Sequence, residues 1–111
     1  MKVSELIKAL DLKIFGGQQG CDHEISGGYT SDLLSDVIGH AEEGNVWITL
    51  QTHKNVMAVA SLKDVAAVVI VKGNHPEEGT IEQSHNEGIP LLGTEMETFE
   101  ITGKIYALIN K

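Results

Sequence analysis

Val46-Trp47-Ile48-Thr49-Leu50 and Ala66-Ala67-Val68-Val69-Ile70-Val71 decide the fold. Each is a continuous apolar run rich in strand-forming residues, the pattern of a strand buried on both faces. Residues 53–63 between them read as a helix. Its apolar residues, Val56, Met57, Ala58, Val59, Ala60 and Leu62, are too crowded for a one-sided stripe. A helix that is apolar nearly all round is buried on two sides. One side packs on the sheet. The other meets a second subunit, through Val56, Met57 and Ala60, or an overlying helix of the same chain. After Val71, Lys72-Gly73-Asn74-His75-Pro76 reads as a loop. Pro76 suits a first helical turn, with Glu77 and Glu78 near the positive end of the helix dipole. That helix runs to about Glu87 and stops at Gly88. Ile89 to Leu92 is a third strand. Thr94 and Glu97 match a capping box for a last helix carrying Met96, Phe99, Ile101, Ile105, Tyr106, Leu108 and Ile109. Strand and helix alternate from residue 46 onward, which specifies an α/β fold: a single layered domain, 1–111, with a small, mainly parallel sheet flanked by helices.

Upstream the pattern is less regular. Val3, Leu6, Ile7 and Leu10 recur at helical spacing, with Ser4 near the start as a cap. Leu12 to Phe15 reads as a short strand, and 16–23 as turn. Gly16-Gly17-Gln18-Gln19-Gly20 lacks the lysine and hydroxyl of a Walker A loop, so a glycine turn is the better reading. Asp22 to Ser26 reads as another strand, ended by Gly27-Gly28. A helix then begins at Ser31 with the stripe Leu33, Leu34, Val37, Ile38 and Ala41, and Gly44 stops it.

The chain has 111 residues and a formal net charge of -8. That balance disfavours nucleic acid and anionic membrane surfaces as partners, since both demand a basic face. Cys21 is the only cysteine, so no disulfide closes within the chain, in keeping with a reducing cytoplasm. No apolar run nears the roughly 20 residues of a membrane span. Cys21-x-His23 has no second pair at zinc-like spacing, so no metal site and no cofactor is expected. No Gly-x-Ser-x-Gly elbow marks a nucleophile, and no catalytic residue is assigned.

Ligands of open parallel sheets bind beyond the carboxyl ends of the strands. Gln51-Thr52-His53, Gly73-Asn74-His75 and Gly93-Thr94 should meet there, joined by Gly27–Asp32 if residues 22–26 form a strand of the same sheet. The candidate ligand-binding residues are Gly28, Tyr29, Ser31, Asp32, Thr52, His53, Gly73, Asn74 and Thr94. Their hydroxyls, amides, imidazole and glycine backbone suit a small anion or a nucleotide. Each also has a purely structural use as a turn or cap. An enzyme using Asp32, Asp36 and His53 as an acid–base set is the other option, should the fold bring those groups together.

Gly28-Tyr29-Thr30-Ser31-Asp32-Leu33-Leu34-Ser35-Asp36-Val37, Trp47-Ile48-Thr49-Leu50-Gln51-Thr52-His53-Lys54-Asn55 and Val56-Met57-Ala58-Val59-Ala60 resemble the small DRTGG-domain proteins, which are similar to the N-terminal domain of HPr kinase/phosphorylase. The Asp-Arg-Thr-Gly-Gly string that names the family is absent, so no functional residue carries over. The resemblance implies an α/β domain of the kind also found at the N-terminus of some Mur ligases. It implies a non-catalytic regulatory or ligand-sensing role beside CBS or catalytic domains, a partner enzyme, and a homodimer. The kinase activity of HPr kinase belongs to a separate P-loop domain.

Overall fold

The computed structural model describes residues 1–111. Its sheet has five strands: β1 (Lys13–Gly16), β2 (Gly27–Thr30), β3 (Asn45–Thr49), β4 (Ala67–Ile70) and β5 (Leu91–Gly93). The order across the sheet is β1-β5-β4-β3-β2. β2 through β5 are parallel, and β1 lies antiparallel to β5 with a register irregularity between Ile14 and Gly16. The expected small, mainly parallel sheet flanked by helices is therefore what forms.

From β2 to β5 the chain steps one strand at a time in a single direction. Right-handed crossovers then put every connecting helix on one face. α2 (Leu34–His40), α3 (Asn55–Lys63) and α4 (Glu78–Glu87) occupy that face, where Val37, Val56, Met57, Val59 and Ala60 pack with Trp47, Val68, Ile70 and Leu91. The opposite face needs helices from outside the run. α1 (Val3–Leu10) and α5 (Thr98–Ile109) supply them. Val3, Leu6, Ile101 and Ile105 close over Val46, Ile48, Val69 and Leu92. The alternation of strand side chains explains the split, since neighbours along β3 and β4 point to opposite cores.

Val56, Met57 and Ala60 are fully buried within one chain, because α3 lies between α2 and α4 on the sheet. α2 and α4 flank α3 within the same layer, and the outward residues of α3, Ala58 and Leu62, are exposed. These three residues have no surface left to offer a second subunit, which corrects the assignment of an interface to them.

Several boundaries differ from the sequence reading. Residues 22–26 form no sheet strand. Their backbone is taken up by the N-terminus, with Val3 N–H donating to His23 O and Ile25 N–H donating to Met1 O. The strand is Gly27–Thr30 instead, so Gly28 and Tyr29 are strand residues. The next helix starts at Leu34, not Ser31: Leu33 is its extended N-cap, while Ser31 and Asp32 anchor β3, accepting from the Trp47 indole and from Thr49 and Leu50. Leu33 is 64% exposed and Ile38 also faces solvent. α1 is capped from Lys2, whose N–H donates to Glu5 at 2.9 Å, and not from Ser4. Pro76 precedes the N-cap, Glu77, of α4. Thr94 does not cap α5; Glu97 occupies that position. Thr94 Oγ1 instead accepts from Met96 N–H at 3.2 Å. Gly16, Gly17 and Gly20 are buried against residues 84–90. At Gly17 φ is +70° and a Cβ would strike the Ile89 carbonyl, so this stretch is a close-packed glycine turn.

Candidate functional site

The loops after β2, β3, β4 and β5 lie along one rim, and hydrogen bonds tie each to the next. Asp32 Oδ1 accepts from Leu50 N–H at 2.8 Å and from the Thr49 hydroxyl at 2.9 Å. Gln51 Nε2 donates to Asp32 O. Thr52 O accepts from Glu77 N–H and from the Thr80 hydroxyl. Lys72 N–H donates to Met96 O and Gly73 N–H to Thr94 O, both at 2.9 Å. The predicted meeting of these turns at the strand carboxyl ends is what the structure has.

They do not form one pocket. The connections after β4 and β5 part company: the first leads to α4 on one face, the second to α5 on the other. In open α/β sheets such a divergence opens a crevice between neighbouring strands, the usual ligand position. A cleft of about 410 Å³ sits there. Of the candidate residues, Gly73, Asn74 and Thr94 line it, with Gly93 and His75. β1, running antiparallel, brings its start to the same rim and adds Lys13 and Phe15, with Leu10 and Asp11 just before it; Glu95 and Met96 complete the wall. None of these last six was a candidate site residue in the sequence. Only the reversed direction of β1 places its beginning beside the ends of β4 and β5.

The cleft is held in shape. Lys72 and Gly73 both have positive φ, +63° and +68°, so this turn stores some strain at the non-glycine position. Glu95 leans across Gly73, close enough that a Cβ there would lie 2.7 Å from its Oε1. Phe15 packs against Gly93, with the Lys13 ammonium 5.0 Å over its ring and the His75 ring edge-on at 5.1 Å. His75 Nδ1 is 2.8 Å from Pro76 O. That oxygen only accepts, so Nδ1 carries the proton and Nε2 is left bare in the neutral ring.

The remaining candidates lie elsewhere. Gly28 and Tyr29 border a second groove, about 450 Å³, between the open edge of β2 and α5. The Tyr29 hydroxyl is committed to Asp36, donating at 2.9 Å. Hydrogen bonds from Ser31 and Tyr29, helped by His40, hold the Asp36 carboxyl below its usual range, and the same contact raises Tyr29. Ser31, Asp32, Thr52 and His53 sit on the rim but line neither cavity. Ser31 O accepts from the buried Trp47 indole at 2.8 Å. Asp32 and Asp36 bond to different partners, and no hydrogen bond or ion pair joins either to His53.

This is a three-layer α/β domain with a ligand-sized crevice at its topological divergence. No family model and no curated protein matches the chain. In fold it is similar to a crystal structure of the CBS and DRTGG domains of the regulatory region of Clostridium perfringens pyrophosphatase, complexed with its activator diadenosine tetraphosphate. The TM-score is 0.74 at 12% identity, over 95% of this chain and 45% of that one. The chain thus spans less than half the length of that neighbour, and the likeness is one of fold. No helix is long and apolar enough to cross a membrane.

Proposed function

We propose that this chain is a non-catalytic regulatory domain of the DRTGG type, which senses a small ligand at the cleft between the β4 and β5 loops and acts as a homodimer on a partner enzyme. The observation that carries this reading is the cleft itself, a preformed crevice where two adjacent loops diverge. The fold it shares with a regulatory region bound to a nucleotide activator supports a nucleotide as the ligand class. The separate bonding of Asp32 and Asp36 argues against the acid–base alternative. Kinship with the N-terminal domain of HPr kinase/phosphorylase is then one of architecture and not of kinase chemistry.

With Val56, Met57 and Ala60 buried, the homodimer uses a surface away from these residues. Phe99 and Tyr106, seven residues apart and so on one side of α5, are 93% and 70% exposed.

A thermal-shift screen of nucleotides, sugar phosphates and amino acids tests the sensing role. A ligand at 100 times its dissociation constant should add about 2.7 kcal/mol, and Asn74→Ala should suppress the shift. No shift from any compound in the screen would defeat the reading.

A further inference from the structure

We infer that the cleft between the β4 and β5 loops takes an adenine nucleoside or its monophosphate and disfavours nucleoside polyphosphates. This rests on the ligand-sensing reading above and narrows its ligand.

Size comes first. About 410 Å³ is near the lower end of the roughly 300–1,000 Å³ typical of small-molecule sites. That volume holds one nucleoside.

Charge comes second. The cleft has one ammonium, Lys13, against two carboxylates, Asp11 and Glu95. None of the three enters an ion pair within the chain. Each phosphate added beyond the first would meet those carboxylates with no further lysine lining the cleft to balance it. In a chain of net charge -8, the distant field works in the same direction. A single phosphate has a partner in Lys13.

Unused hydrogen-bonding groups come third. The Asn74 side chain is half-buried and makes no hydrogen bond within the chain, which leaves its carbonyl and amino group together for a base edge. That pair matches the N6 and N7 of adenine. A carboxylate with no internal partner is also the group that holds a ribose diol, and the exposed Glu95 carboxylate lies beside Gly73 at the cleft without one.

Calorimetric titration of the full chain with adenosine, AMP and ATP reads this directly, in wild type and in Glu95→Gln. Adenosine and AMP should bind, with ATP weaker than AMP by about tenfold or more. In Glu95→Gln the gap between AMP and ATP should narrow while adenosine binding weakens. Circular dichroism confirms that the variant is folded. ATP binding as tightly as AMP, or an unchanged gap in folded Glu95→Gln, overturns the inference. So does the absence of binding by all three. If none of the three binds but another compound of the thermal-shift screen acts through Asn74, the sensing role stands and only the nucleoside assignment falls.

Discussion

Asp32 illustrates how a residue can look like a ligand group and act as a clasp. Its carboxylate receives the Thr49 hydroxyl and the Leu50 N–H, fixing the end of β2 to the end of β3. Thr49 is fully buried, so removing its acceptor exposes the cost of an underserved polar group. Asp32→Ala should destabilise the fold by about 1–3 kcal/mol in urea unfolding, with ligand binding at the cleft unchanged once the variant is folded. At Asp36 the sign of the pH effect follows from its depressed value. A carboxyl that titrates lower folded than unfolded stabilises the fold at pH above the unfolded value, near 3.8. That contribution is lost as pH falls through the folded value. Tyr29→Phe removes one of the hydrogen bonds responsible. The Asp36 carboxyl should then titrate at higher pH, read from its carboxyl carbon shift in NMR, and the acid side of the stability curve should lose part of this dependence. An unmoved Asp36 titration would show that the Tyr29 contact does not operate in solution.

At the scale of elements, α3 and α5 show that an apolar helix sequence does not say which of its residues are covered. α3 is apolar nearly all round because it touches the sheet beneath and helices on either side, while Leu62 alone among its large residues is strongly exposed. Met57 makes this testable. Met57→Leu, close in volume, should cost less than about 1.5 kcal/mol. Met57→Asp puts a charge into a closed core and should yield an unfolded chain by circular dichroism, not a folded monomer. α5 has an ordinary buried stripe in Ile101 and Ile105, yet presents Phe99 and Tyr106 to solvent. Apolar residues on a helix report burial only where another element lies over them.

For the molecule as a whole, the one-way march of β2 to β5 has two consequences. It puts α2, α3 and α4 on one face and leaves the other to the terminal helices. It also confines the divergence of connections to the β4–β5 boundary, so one position on the rim differs in kind from the rest. Assembly belongs to this scale. If the exposed apolar face of α5 joins two copies, light scattering at high micromolar concentration should give twice the mass of one chain. Phe99→Glu should give a folded monomer, because a residue this exposed contributes within about 0.5 kcal/mol to the fold itself. A wild-type chain that stays monomeric under those conditions rules the homodimer out.

The three buried strands and the helices between them were legible in the sequence, because continuous apolar runs and helical spacing are local consequences of burial. The parallel layered sheet and the shared rim followed from that alternation. The strand at 27–30 was not legible, since two glycines signal a turn and only the Met1–Val3 backbone, by occupying residues 23–25, moves the pairing forward. Nor was the larger part of the cleft. Gly73, Asn74 and Thr94 could be named because they follow strands, whereas Asp11, Lys13 and Phe15 reach the same place through an antiparallel edge strand. Strand direction and helix side are relations between distant segments, set by which packing buries both faces of the sheet at once, and no local pattern encodes them.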